Sequence, residues 1–504
     1  MIAFYIGWIG SVINILMGLI YRKSFLTVLS VEYLGINGLF SNIFTILSIA
    51  EMGIGTSIMY RLYEPIKNQD EKKIAEIIYL LKICYRIIML VVLGIGLLIL
   101  PVLPFLVNDA EELPSDINLY VVYFIFLFET LSSYFFIYKQ AILSADQKQY
   151  VVSAGRVIVN FARYCVQFAV LYGTRNYILT LCSGIAVYVF GNYLISLYAQ
   201  KSYESVMHYK GKIDPTLRQN VFNDLKGTAC HEIGEKVSKG IDSMVISAFV
   251  GIASVGYYSN YSYVLTYLIE AIKQTLTSFV SSIGSANVNH TREENYDLYQ
   301  RLMYLNYAVA LVTAVCLYVL FEPFITLWVG EDMLLSHGVL ILLCIDYYFQ
   351  VSRLINQSFI KASGLFVRDK IRPIIQAALN LVLSIVIVMR WGIAGVFIGT
   401  IISWMATIWW REPYLLYKEL FHKPFVTYWR SYFKYALLTL LSAVLCASVV
   451  RAIPVTWIGW LGKAIISALI SIAVFVGSSF WTKEFHFYKD LIHRFITTKI
   501  GKRK

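Results

Sequence analysis

Long apolar runs broken by short polar stretches recur from one end of the chain to the other. A helix needs about 20 mostly apolar residues to cross a bilayer. Fourteen segments fit that description: 2–21, 37–59, 83–104, 117–138, 151–172, 177–199, 231–250, 256–280, 302–321, 338–359, 373–390, 393–410, 435–450 and 462–481. Three are imperfect as apolar runs. The first can run on through Arg22 and Lys23, the fifth holds Arg156 and Arg163, and the seventh opens on a charged turn from His231 to Lys236. The pattern predicts an all-α, polytopic membrane protein.

Charge placement supports the count and sets an orientation. With the N-terminus inside and the segments alternating, most Lys and Arg fall in cytoplasmic segments. The outer loops hold only Arg175, Arg390 and Arg451. The loop with Asp109, Glu111, Glu112 and Asp116 carries no base and falls outside, as does the one with Glu322, Glu331 and Asp332. This asymmetry predicts a cytoplasmic membrane protein with both termini in the cytoplasm. The first run has no basic stretch before it and no small-residue cleavage site after it. It reads as a retained span, not a removable signal peptide.

Composition agrees. Apolar types make up 58 % of the 504 residues and charged types 15 %, where an ordinary globular domain carries roughly 25 % charged residues. That is too little charge to cover soluble surfaces. It excludes a disordered chain, a secreted disulfide scaffold and a nucleic-acid binder. The net charge of +12 therefore reports topology, and the basic tail from Lys499 to Lys504 is expected to meet anionic headgroups. The seven cysteines form no CxxC pair and lie mostly in apolar runs, as small hydrophobes do. No loop is long enough for a catalytic domain. P-loop, GxSxG, HExxH and GxGxxG patterns are absent, so no enzyme, metal site or cofactor is expected.

A short pattern occurs twice, six spans apart. Tyr33-Leu34-Gly35-Ile36-Asn37-Gly38-Leu39-Phe40-Ser41-Asn42 is echoed by Val255-Gly256-Tyr257-Tyr258-Ser259-Asn260-Tyr261. Its glycines are expected to form tight extracellular turns at the mouths of the following spans. These stretches, with Ala50-Glu51-Met52-Gly53-Ile54-Gly55, resemble the bacterial polysaccharide flippases. Those are the O-antigen and capsule repeat-unit translocases of the multidrug/oligosaccharidyl-lipid/polysaccharide exporter superfamily. The resemblance extends along nearly the whole chain in span count and loop length. It implies two six-helix lobes, pseudo-symmetric about the membrane normal around a central cavity, plus two C-terminal helices. The corresponding boundaries are 1–205 for spans 1–6, 206–420 for spans 7–12, and 421–504 for spans 13–14 and the tail. One departure is the start: relatives carry a polar, basic stretch before the first span, and this chain begins inside that span.

Ionisable groups inside spans cost about 2.5–3.5 kcal/mol each on insertion scales, so they are the natural site candidates. The bases are Arg22, Lys23, Arg156, Arg163, Lys236, Lys239, Lys273 and Arg353. Arg156 and Arg163, seven apart, share a helix face. The acids are Glu51, Glu129, Glu232, Glu235, Asp242, Glu270 and Asp346. Glu232 and Glu235 precede Lys236 and Lys239 by four, which suits ion pairs along a helix. The resemblance implies an undecaprenyl-pyrophosphate-linked oligosaccharide as substrate and places Asp242 beside the cavity. Arg22, Lys23, Arg156, Arg163, Lys239, Lys273 and Arg353 are then candidates for the pyrophosphate. Glu51, Glu129, Asp242, Glu270 and Asp346 are candidates for a coupling proton or sodium ion. Tyr257, Tyr258 and Tyr261 are candidates for stacking on sugars.

The expected activity is flipping of lipid-linked repeat units by alternating access for capsule or lipopolysaccharide synthesis, with polysaccharide polymerase machinery as a partner. Salt bridging or snorkelling explains the same bases without a ligand. A lipid II flippase and a multidrug exporter are the neighbouring alternatives. An exporter of cationic drugs calls for a more acidic cavity. A membrane polymerase or ligase calls for a large outer loop that this chain lacks.

Overall fold

A computed structural model describes residues 2–51, 54–107, 113–209, 211, 213–219, 221, 240–277, 291–369 and 371–501. Every secondary-structure element among them is helical. The chain runs through α1 (Ile2–Val28), α2 (Val31–Leu47), α3 (Ile54–Lys67), α4 (Glu71–Ile99), α5 (Leu119–Ala145), α6 (Gln149–Thr174) and α7 (Tyr177–Ser202). It continues with α8 (Gly240–Phe249), α9 (Ile252–Thr277), α10 (Arg292–Val329), α11 (His337–Ser352) and α12 (Leu354–Ala362). The last five are α13 (Arg372–Trp391), α14 (Ile393–Leu415), α15 (Val426–Val450), α16 (Trp457–Ser479) and α17 (Lys483–Gly501).

Ten helical stretches among the described residues are long and apolar enough to cross a membrane. The chain is thus a multi-pass membrane protein. These ten coincide with ten of the fourteen expected spans. The other four fall on α1, on α2 and α3, on α8 and on α9. The first half of the 231–250 segment lies outside the described residues. The 37–59 segment is not continuous. It divides at a 3-10 turn, Ser48–Glu51, where the Ser48 hydroxyl donates to the Thr45 carbonyl at 2.7 Å and competes with the helical ladder. The 338–359 segment divides too, at Arg353, between α11 and α12.

Several helices overrun the apolar segments that predicted them. Hydrocarbon thickness limits the apolar run, whereas caps limit the helix. At α4 the Asp70 side chain accepts the Lys73 N–H at 3.1 Å, and the helix starts at Glu71, twelve positions ahead of the predicted boundary. At α10 Thr291 and Glu294 form a reciprocal capping box, so that helix reaches 38 residues.

The chain divides into two compact units. The first holds Met1–Ser259 and Lys370–Val396, and the second holds Asn260–Asp369 and Phe397–Lys504. In the first unit α6 packs between α1 and α7, and α5 packs on α7, α4, α3 and α2. In the second, α10 is central and carries α11, α15 and α16 against it. Helix α13 belongs to the first unit, although α12 lies in the second.

The repeated glycine pattern has a different role from the one expected. Gly35 and Gly38 lie within α2, and Gly256 lies within α9; neither stretch is a turn. A Cβ at Gly35 would stand 2.1 Å from the Ile252 carbonyl oxygen, and one at Gly256 would stand 2.5 Å from the Val31 carbonyl oxygen. The two copies of the pattern therefore pack against each other, backbone to backbone. Bilayer helices gain little from apolar burial and associate where small residues permit close approach. Just beyond the crossing, Asn42 donates to Ser243 of α8 at 2.9 Å.

Outside the spans, one polar triad ties the α5–α6 turn to the end of α7. Lys148 Nζ lies 2.7 Å from Asp146 Oδ2 and donates to the Tyr203 hydroxyl at 3.0 Å, which itself donates to Asp146. The Lys148 and Tyr203 hydrogen bonds hold the Asp146 carboxyl below its ordinary range.

Two outcomes are expected. Gly35→Ala and Gly256→Ala should each destabilise the protein by about 1–3 kcal/mol through overpacking, read from thermal melts in detergent. Gly94→Ala, whose Cβ would meet nothing within 4 Å, should be neutral or stabilising by up to about 1 kcal/mol; equal melting of all three would refute the close crossing. Asp146 has a lowered folded pKa, so its contribution is complete above the unfolded value of about 3.9 and is lost as pH falls through the folded value. The stability gap between wild type and Asp146→Asn should be constant near neutrality and shrink in melts taken below about pH 4.

Candidate functional site

A charge held within a span needs a partner or a watery surface. The first unit collects most of the candidates. Arg22 sits on α1, half-buried, and its Nη1 donates to the Ser259 hydroxyl of α9 at 3.2 Å. That hydroxyl donates onward to the Gly256 carbonyl at 2.8 Å, so the guanidinium meets α9 beside its crossing with α2. Lys23, the next residue, is exposed. Tyr21 links this part of α1 to α6. Its ring lies 5.6 Å from those of Tyr164 and Phe168, and its hydroxyl is within electrostatic reach of Arg163.

The two arginines of α6 occupy different settings. Arg163 is half-buried and bound to Glu129 of α5 at 2.7 Å. Its guanidinium also stands 5.7 Å from the Tyr188 ring centroid on α7. Arg156 is exposed, forms no ion pair among the described residues, and reaches Tyr188 electrostatically. Both bases of the expected shared face thus converge on one tyrosine. Glu129 was expected as a coupling acid and Arg163 as a phosphate ligand; here each is the other's partner.

Below this group, α5 and α7 are joined by a buried polar seam. Gln140 donates to Asn192 at 3.1 Å, Ser196 donates to the Phe136 carbonyl at 3.4 Å, and Lys139 donates to Gln200 at 2.8 Å. Tyr188, Asn192, Ser196 and Gln200 recur every four residues, which puts them on one face of α7. The same two helices line an apolar groove of about 830 Å³ that includes Phe124, Phe128, Phe190 and Tyr193. Glu51, on the 3-10 turn after α2, lies within electrostatic reach of Tyr85 and Tyr134. Asp242 is buried in α8, one residue from the Ser243 that receives Asn42. Buried polar side chains also follow one face of α13: Gln376, Asn380 and Ser384.

In the second unit the candidates serve local contacts. Arg353, at the α11–α12 break, makes a two-point ion pair with Glu412 of α14, Nε to Oε2 at 3.0 Å. The Glu412 side chain is only 3 % exposed, and the guanidinium stands 4.9 Å from the Trp404 ring centroid. Arg411 adds a contact to the buried Asp369 at 3.5 Å, and Arg368 pairs with Glu419. Asp346 accepts from Gln350, one turn on, at 2.7 Å. Lys273 pairs with the exposed Glu270 one turn away at 3.8 Å.

Of the tyrosines, Tyr257 and Tyr258 are half-buried. Tyr261 is fully enclosed. Its hydroxyl accepts the Leu335 N–H at 3.1 Å and its ring lies against Phe321, which leaves no face for a sugar in this conformation. Lys239, with Glu232, Glu235 and Lys236, lies outside the described residues.

Sequence reasoning missed Glu412 because it lies two residues past the predicted end of its span. It also missed Tyr188 and Asn192. The four-residue polar recurrence on α7 was visible but lay inside a run read only for its apolar content.

The fold is that of known membrane transporters. A lipid II flippase MurJ in an inward closed conformation matches with a TM-score of 0.68 and 18 % identity, over 96 % of this chain and 99 % of that one. An inward-facing multidrug resistance MATE family transporter of the MOP superfamily matches at 0.63 and 14 % identity, over 78 % and 91 %. The Vibrio cholerae MATE transporter VcmN matches at 0.56 and 14 % identity, over 84 % and 98 %. No protein-family model and no curated protein matches the sequence.

The two ion pairs should behave as coupled units in denaturant unfolding. Glu412→Gln leaves Arg353 buried without its carboxylate and should cost about 3–5 kcal/mol. Arg163→Gln should cost about 1–3 kcal/mol, since that pair is partly solvated. Adding Glu129→Gln to Arg163→Gln should recover part of the loss; strict additivity would show that the two side chains do not interact.

Proposed function

We propose that this protein flips a lipid-linked oligosaccharide carried on undecaprenyl pyrophosphate across the cytoplasmic membrane by alternating access. The observation that carries the reading is the set of Arg156 and Arg163 on a helix able to cross the membrane and Arg22 on the helix packed against it, all in one unit. A pyrophosphate cannot enter hydrocarbon unless cations and donors replace its water. Arginine supplies a planar, permanently charged fork for its oxygens. Tyr188 and the polar seam supply hydroxyl and amide groups of the kind a sugar binds. The apolar groove on α5 and α7 offers a wall for the lipid tail.

In this reading Arg163 is held ready by Glu129, and substrate phosphate competes with that carboxylate for the guanidinium. Glu51 and Asp242 are the acids assigned to a coupling proton or sodium ion. In this reading both termini lie in the cytoplasm, which the charge asymmetry of the loops supports, and the product feeds polysaccharide synthesis. A second reading, flipping of lipid II, draws support from the match to the MurJ fold over nearly the full length of both chains. Both substrates present a lipid pyrophosphate, so the same arginines serve either. Cationic drugs would be repelled by this set.

The test is a leaflet assay in proteoliposomes with fluorescent undecaprenyl-pyrophosphate oligosaccharide and, in parallel, lipid II. The oligosaccharide should cross faster than lipid II. Arg22→Gln and Arg156→Gln should slow it by about tenfold or more, the loss of one charge-assisted contact, with folding unchanged. Equal crossing with and without protein ends the flippase reading. Faster crossing of lipid II selects the second one, and wild-type rates in both variants remove these arginines from the site.

A further inference from the structure

Helices α10, α15 and α16 of the second unit pack against one another. Two contacts set the register of α15 on α16. The Cys446 thiol donates to the Ser467 carbonyl at 3.7 Å, and the Tyr435 and Phe475 rings stack at 5.3 Å. The two helices run antiparallel, so the same register sets Ser442 opposite Ser471 and Val450 opposite Lys463. On the α10 side, the Trp460 indole donates to the Leu320 carbonyl at 3.2 Å, and the Tyr304 and Ser479 hydroxyls meet at 2.9 Å. That register brings Leu317 and Leu320, both buried, to the level of Lys463.

The face that α16 turns into this contact is polar. Its buried residues are Gly459, Lys463, Ser467, Ser471, Phe475 and Ser479, one every four positions and so on one side of the helix. Lys463 is 7 % exposed, and Ser442, Ser467 and Ser471 are sealed completely. The apolar run began at 462 and left Lys463 at its edge. The helix starts at Trp457, which carries the lysine about 9 Å inward along the axis. Lys463 makes no ion pair and no hydrogen bond among the described residues. Neither α15 nor α16 has an acid, and Glu322 of α10 turns to His337 of α11 at 2.9 Å. The hydroxyls of Ser442, Ser467 and Ser471 also make no hydrogen bond. The Cys446 thiol, within reach of Ser467 and Ser471, is a weak partner. Below them Phe475, held between the Tyr304 and Tyr435 rings at 4.9 and 5.3 Å, closes the seam.

We infer that this seam is a binding site for one small inorganic anion, chloride in ordinary salt, held between the Lys463 ammonium and the Ser467 hydroxyl. An ammonium enclosed by Val450, Leu317 and Leu320 is costly without a counter-charge, and each enclosed hydroxyl adds to that cost. Water would satisfy the hydroxyls and leave the charge unmet; an anion answers both. Neighbours four apart on a helix stand about 5–6 Å from each other, which lets one ion touch both side chains. The sealing of the serines limits the ligand to the size of a halide. The bound ion ties α16 into its contact with α10 and α15. The inference does not depend on what the protein transports.

The experiment melts the full-length protein in detergent in sodium chloride or in sodium gluconate, whose anion is too bulky for the seam, at equal ionic strength. Crystals soaked in bromide locate the ion by anomalous scattering. Chloride should raise the melting temperature of the wild type by about 2 °C or more, as binding to the folded state alone implies. Bromide should lie against Lys463 Nζ and Ser467 Oγ. Lys463→Met keeps the bulk without the charge and should melt alike in both salts. Ser467→Ala keeps the charge and should show a smaller shift than the wild type. Equal melting of the wild type in the two salts would overturn the inference, as would a shift of wild-type size in Lys463→Met. So would a shift that ignores chloride and appears only on adding phosphatidylglycerol, which would assign the amine to a lipid phosphate.

Discussion

Inside hydrocarbon there is no water to satisfy a peptide group or solvate a charge, and each unmet group costs several kcal/mol. The architecture follows from that constraint. Every element among the described residues is a helix because a helix satisfies its own backbone. Breaks in helices occur where side chains can take up the released groups. Ser48 does so at the end of α2, and at the α11–α12 break Asn306 donates to the Ser352 carbonyl at 2.7 Å. Where two helices cross closely, side chains are removed altogether, as Gly35 and Gly256 show at the α2–α9 contact.

The same constraint sorts the intramembrane charges. Arg353 and Glu412 neutralise each other in a nearly sealed setting, which makes them a structural tie between α14 and the break in the tenth predicted span. Arg163 and Glu129 also meet, but both side chains are only partly buried and lie beside Tyr188. Arg22 meets a hydroxyl of α9, and Arg156 stands exposed on the same helix face as Arg163. These groups are concentrated on α1, α5 and α6 of a single unit. In the second unit Arg353 and Lys273 each meet a carboxylate, and Asp346 accepts from Gln350.

Legibility in the sequence differed by kind of feature. The spans were legible because hydrocarbon thickness imposes a run length, and each of the ten stretches able to cross lies on a predicted segment. The Arg156–Arg163 face was legible because seven residues make two helical turns. Ion-pair partners were not, since Glu129 and Arg163 are 34 positions apart and Arg353 and Glu412 are 59 apart. The glycine echo was visible, yet its role was not. A glycine permits both a turn and a close helix crossing, and only the presence of Ile252 and Val31 opposite decides between them.

By itself, then, the sequence determined the all-helical membrane class and the list of charges that need explaining. Both follow from local rules: the length of an apolar run and the cost of a charge within it. Tertiary structure alone decided which charges neutralise one another, which remain available, and which glycines join helices. These outcomes depend on contacts between residues remote in the chain. Intrahelical periodicity says which residues share a face, and nothing about what that face meets.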